Sequence, residues 1–128
     1  VTSPIEVVVV DDDVGGPYPA PSRDPFFQAL SLAGATVKRV EKVSGDGRAS
    51  VVVALFGDIR SWKGRPGYSP EARKAVDKVV DKAPEAVVVQ FSHPRLASEL
   101  KKPKHIVSAW GGDTVMQQAA ARWLVKAR

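Results

Sequence analysis

Three consecutive aspartates, Asp11, Asp12 and Asp13, follow the apolar run IEVVVV, and a fourth, Asp58, follows VVVALFG. Carboxylate oxygens at that density suit a hard divalent cation such as magnesium. The same residues have a structural role open to them, because an aspartate ending a strand caps the next helix or fixes a turn, and Gly15, Gly16 and Pro17 mark a turn just beyond. No second feature demands a metal, so we read the cluster as structural, keep Asp11, Asp12 and Asp13 as the candidate ligands, and expect no cofactor. Ser92 lacks the Gly-x-Ser-x-Gly elbow that exposes a nucleophile. His93, in FSHPR, has no carboxylate or nucleophile tied to it and reads as a turn or interface residue. Gly111 and Gly112 precede a helix whose N-terminus would attract an anion, but Asp113 stands there and repels one. Neither a Walker motif nor a dinucleotide-binding glycine pattern occurs. Tyr18, Trp62 and Tyr68 lie in Gly/Pro-rich loops together with Arg23, Arg60, Lys63 and Arg65. An aromatic there either stacks on a sugar or a partner surface or anchors its own loop.

The elements that must position these residues are short. β-branched runs predict strands over Ile5 to Val10, Val37 to Val43, Val51 to Phe56, Ala86 to Phe91 and Ile106 to Ala109, most of them apolar throughout, as strands buried on both faces are. Helical patterns fall between them. Asp24 as cap, Pro25 in the first turn and Gly34 as terminator predict a helix from Pro25 to Ala33. After Ser69 and Pro70, the residues Ala72, Ala75, Val76, Val79, Val80 and Ala83 recur at three-and-four spacing, while Arg73, Lys74, Asp77, Lys78 and Asp81 face out. A short helix follows Pro94. The last, capped by Asp113 or Thr114, aligns Met116, Ala119, Ala120, Trp123 and Leu124. Alternating strands and helices predict an α/β fold, a three-layer α/β/α sandwich on a mainly parallel sheet of about five strands. Only SGDGRAS separates Val43 from Val51, too short for a crossover helix, so the second strand is expected to pair antiparallel with its successor or to lie at an edge. In such a sheet ligands sit beyond the carboxyl ends of the strands, where Asp11 to Asp13, Gly57 and Asp58, Ser92 and His93, and Gly111 to Asp113 converge.

With 128 residues, 44% apolar and 26% charged, the chain has the balance of a single globular domain, residues 1–128, and VTSP at its start reads as the tail of a linker. No apolar run approaches a membrane span, and no membrane partner is expected. Zero cysteines exclude disulfides and thiolate chemistry but leave the compartment open. A net charge of +5 invites a nucleic-acid reading, yet the basic residues are dispersed, and only Lys101, Lys102 and Lys104 cluster, so no nucleic-acid partner is expected.

IEVVVVDDD, with Asp58 and Ser92 at later strand ends, resembles a response-regulator receiver domain. That resemblance implies a cation held by Asp11 and Asp12, a phosphoryl group accepted by Asp58 and a switch hydroxyl on Ser92. Two departures stand against it: the missing helix at SGDGRAS and the absence of a lysine after the last strand, where the chain reads AWGGD.

The segments VVVALFGDIRSWKGRPGYSPEARKAV and AVVVQFSHPRLASELKKPKHIVSAWGGDTVMQQAAARWL, covering about Val51 to Leu124, resemble the C-terminal domain of family 3 glycoside hydrolases of the β-N-acetylhexosaminidase type. The resemblance implies a parent enzyme, acting on terminal N-acetylglucosaminides, whose N-terminal barrel carries both groups of a retaining mechanism. Glu71, Glu85 and Glu99 lie on or beside helices and Glu41 in a strand, so no acid/base role passes to them. This domain would then turn over nothing alone. It would pack on the barrel and wall the cleft through the loops Asp11 to Arg23 and Gly57 to Ser69, with Tyr18, Arg23, Asp58, Arg60, Trp62, Lys63, Arg65 and His93 as the contact candidates. A third possibility is a free-standing interaction module.

Overall fold

The computed structural model describes residues 4–11, 23–43, 50–57, 68–92, 94–109 and 114–126. One sheet of five strands runs in the order β2-β1-β3-β4-β5, formed by β1 (Ile5–Asp11), β2 (Val37–Arg39), β3 (Ser50–Phe56), β4 (Val87–Phe91) and β5 (His105–Ser108). Every neighbouring pair is parallel. Alternation along each strand sends side chains to two cores. Ile5, Val7, Val52, Ala54, Phe56, Val89 and Phe91 meet α1 (Asp24–Leu32) and α3 (Thr114–Lys126) on one face. Val8, Val10, Val53, Leu55 and Val88 meet α2 (Pro70–Lys82), together with Leu96 of the 3₁₀ helix Pro94–Glu99 and Leu100 after it, on the other. The result is the expected three-layer sandwich. Among the described residues no helix is long and apolar enough to cross a membrane.

The second strand lies at an edge, but the antiparallel pairing expected for it is not seen. It pairs parallel to β1, from Ile5↔Val37 to Val7↔Arg39, while β3 takes the opposite side of β1. It also stops at Arg39 instead of continuing to Val43. Val40 still donates its backbone N–H to Val7 over 3.0 Å, and then the chain leaves the sheet, so that Val43 packs, buried, into the core shared with α2. Val40 and Val43 read like a continued strand because both bury apolar side chains against the sheet.

Helix ends follow local chemistry. Ser69 caps α2, its Oγ accepting from the Ala72 N–H over 3.1 Å, and Pro70 opens the first turn. The predicted face is the buried one, with Ala72, Val76, Val79 and Val80 inside. Gly34 adopts φ +94° after the end of α1, a backbone shape that costs glycine little. Helix α1 begins one residue earlier than expected: Arg23 takes the cap position, without a side-chain capping bond, and Asp24 lies in the first turn. Helix α3 is rotated from the expected stripe, burying Gln117, Ala120, Ala121 and Leu124 and leaving Ala119 and Trp123 exposed. Gln117 fixes that rotation, since its Oε1 accepts the Phe26 N–H of α1 over 3.1 Å.

Candidate functional site at the carboxyl edge of the sheet

Asp11, Phe56 and Phe91 stand in one row across the sheet, paired in register at the carboxyl ends of β1, β3 and β4. The strand order reverses about β1 and β3, the position at which open α/β sheets hold ligands. Arg23 reaches back to this row from the start of α1. Its Nε donates to Asp11 Oδ2 over 2.9 Å and its Nη2 to Oδ1 over 3.0 Å, a two-pronged pair that matches the planar guanidinium to the carboxylate. The guanidinium carbon lies 4.0 Å from the centre of the Phe56 ring. Phe56 stacks on Phe91 at 4.5 Å and 7°, and Phe91 meets the edge of Phe26 at 5.4 Å. Arg23, Phe56, Phe91 and Phe26 thus form one column that joins the edge of the sheet to the first turn of α1.

A second tie lies on the other face. The Tyr68 hydroxyl and Ser92 Oγ are hydrogen-bonded, and both residues are buried. Tyr68 precedes the cap of α2, and Ser92 follows β4 directly. Ser92 therefore offers no exposed nucleophile, and Tyr68 is an anchor, one of the two roles open to it in the sequence. Removing the phenol oxygen would leave the Ser92 hydroxyl without this partner in a dry setting. Tyr68→Phe is expected to cost about 1–3 kcal/mol, read by urea denaturation, with much of it recovered in the double variant Tyr68→Phe/Ser92→Ala. A loss below about 0.5 kcal/mol would mean that the bond contributes little.

Among the described residues of the edge, Asp11 and Arg23 form an internal pair. Both oxygens of Asp11 accept from Arg23, so its charge is compensated within the domain, which disfavours a cation beside it. Among the described residues no group of three or more His, Asp or Glu side chains could hold a metal. Of the contact candidates, Arg23 is described, and it is 7% exposed. Tyr18, Asp58, Arg60, Trp62, Lys63, Arg65 and His93, and with them Asp12 and Asp13, lie outside the described residues. What the structure does place is the roots of their loops. Residues 11 and 23 bracket one loop and are tied to each other, while Tyr68, at the return of the other, is tied to Ser92.

Sequence reasoning did not find the Asp11–Arg23 pair, nor the inward turn of Gln117 and Gln90. A glutamine within the alanine-rich run QQAAA is the signal that could have found Gln117. Gln90 interrupts the apolar run VVVQF and is fully buried, with Nε2 3.5 Å from Ser108 Oγ.

Charged groups that perturb one another sit at the opposite end of the sheet. Glu85 accepts from His105 Nε2 over 3.0 Å and from Lys104 Nζ over 3.2 Å, and these bonds hold its carboxyl below the ordinary value. A carboxylate lowered in the folded state contributes its stability above the unfolded value and loses it as pH falls through the folded one. An NMR titration should place the Glu85 midpoint below that of an unperturbed glutamate, and His105→Ala should move it back up. An unchanged midpoint in that variant would contradict the assignment. Lys102 bonds to Asp81 at 3.0 and 3.2 Å, so two of the three clustered lysines are engaged by acidic neighbours.

Comparison with protein-family models, curated proteins and solved structures finds no match to this chain.

Proposed function

We propose that the chain is a non-catalytic accessory domain, resembling the C-terminal domain of family 3 β-N-acetylhexosaminidases, that packs on a catalytic barrel and walls its substrate cleft with the loops after β1 and β3. The observation that carries this reading is the pinning of both loop roots, by Arg23 on Asp11 and by Tyr68 on Ser92. Loops used to complete another domain's cleft must arrive in fixed positions, since a small displacement of a positioning group costs rate steeply. Buried polar residues that hold the roots of these loops in place agree with a supporting role.

The receiver-like alternative requires Asp11 and Asp12 to share a cation and Asp58 to accept phosphate. Compensation of Asp11 by Arg23 counts against it, although the strand order β2-β1-β3-β4-β5 is one that receiver domains have. The chain alone should release no chromophore from an aryl N-acetyl-β-glucosaminide. In the full-length enzyme, Trp62→Ala should raise KM or lower the unfolding midpoint. Turnover by the isolated chain, or a Trp62→Ala enzyme with unchanged kinetics and stability, would remove the reading.

A further inference from the structure

The fold parts the one cluster of cations in the sequence. Lys104 bonds to Glu85, and Lys102 bonds to Asp81 of α2 at 3.0 and 3.2 Å. Lys101 is exposed and has neither partner; it lines a cleft of about 380 Å³ together with Pro70, Arg73, Lys74, Asp77 and Lys102. Arg73 and Lys74 reach that cleft from the start of α2, about one turn before Asp77. The nearby acids are already engaged. The two bonds from Asp81, and behind them the charge of Asp77, hold the Lys102 ammonium above the ordinary lysine value. Glu71, the third acid of α2, lines a different groove, shared with Val43. Among the described residues no acidic side chain pairs with Arg73, Lys74 or Lys101. Arg73, Lys74, Lys101 and Lys102 thus stand against Asp77 and Asp81, an excess of two positive charges at one cleft.

We infer that this cleft binds the phosphate group of a small phosphorylated molecule. Charge selects the group. A phosphate monoester carries close to two negative charges near neutrality and presents three terminal oxygens, which match the excess of positive charge and the three cations without an acidic partner. A carboxylate offers one charge and two oxygens. Arg73 supplies the planar fork that grips two phosphate oxygens, and Lys74 and Lys101 add point charges beside it. Volume selects a molecule over the bare ion, since about 380 Å³ falls within the range of small-ligand sites and exceeds what one oxyanion fills. The lining selects its character. Only Pro70 is apolar among the described lining residues, so the body that carries the phosphate is polar.

Titration of the 128-residue chain with glycerol phosphate, followed by NMR at an ionic strength held constant with sodium chloride, tests the inference. The amide shifts of Glu71 to Asp77 and of Leu100 to Lys102 should saturate together, with a dissociation constant of about 1 mM or below. Arg73→Ala should raise that constant about tenfold and Lys101→Ala about threefold or more. Arg73→Lys should recover only part of the loss, because the fork is gone. Arg122→Ala removes an exposed cation from α3, in the opposite layer, and should leave the constant unchanged. The substituted side chains are all exposed, and the thermal unfolding midpoint of each variant should match that of the parent. Shifts that fail to saturate by about 20 mM would overturn the inference. So would an Arg122→Ala variant weakened as much as Arg73→Ala, since binding would then be diffuse attraction to a cationic chain. Inorganic phosphate, titrated in parallel, should bind more weakly because it has no body to contact the cleft. Saturation by inorganic phosphate but not by glycerol phosphate would overturn the monoester and leave a site for the free ion.

Discussion

Arg23→Ala should destabilise the domain by about 3 kcal/mol, near the lower end of the range for breaking a buried ion pair because the Asp11 side chain is still 25% exposed. Two losses combine. Asp11 keeps its charge without its two-pronged donor, and the face of Phe56 loses the guanidinium packed on it. For a domain of this size the unfolding midpoint should fall by roughly 10–15 °C. Arg23→Lys should recover little, since an ammonium neither reproduces the fork nor stacks on the ring. The double variant Arg23→Met/Asp11→Asn should recover a large share, because no charge is then left stranded. Chemical denaturation of the four variants reads all of this. A loss below about 1 kcal/mol in Arg23→Ala would mean that the pair does not hold the root of the loop.

Phe91→Ala should cost about 3–5 kcal/mol. Phe91 is fully buried between Phe56 and Phe26, so truncation leaves a cavity that the strands of a parallel sheet cannot close. Phe91→Leu should cost much less, about 1.5 kcal/mol or below, since it refills most of the volume. The effect should also travel. With Phe91 gone, Phe56 loses the ring that it stacks against, and the near-ultraviolet circular dichroism of the aromatic column should weaken in Phe91→Ala more than in Phe91→Leu. An alanine variant less than about 1.5 kcal/mol below the parent would show that the column can collapse, and with it the claim that the edge is rigid.

These two substitutions test the platform on which any function of the carboxyl edge rests. Much of that platform is visible in the residues. Runs such as VVVALF declare a strand buried on both faces, and Ser69-Pro70 declares a helix start, because composition and capping act within a few residues. Val40 to Val43 misled for the opposite reason: β-branched residues packed on a sheet after an edge strand are of the same type as those within it, and only the position of β1 between β2 and β3 separates the two. The facing side of α3 was hidden because alanine suits either side of a helix, and the rotation is set by a hydrogen bond from another helix to Gln117. That Asp11, Gly57 and Ser92 come to one carboxyl edge follows from the parallel sheet and was legible. The pairing of Asp11 with Arg23 was not, since it depends on how a long loop returns and has no periodic signature. Acidity at a strand end suggests a cation when read alone, and it reads differently once an arginine from the following helix occupies both oxygens.

The central claim is that this domain completes an enzyme whose chemistry resides elsewhere, and the coding sequence upstream of Val1 tests it most directly. A barrel of about 250 residues or more, with its own acid/base and nucleophile groups, is the predicted neighbour. A start codon immediately before Val1, or a histidine-kinase or DNA-binding neighbour, would contradict the account and return Asp11, Asp12 and Asp58 to the centre of the function.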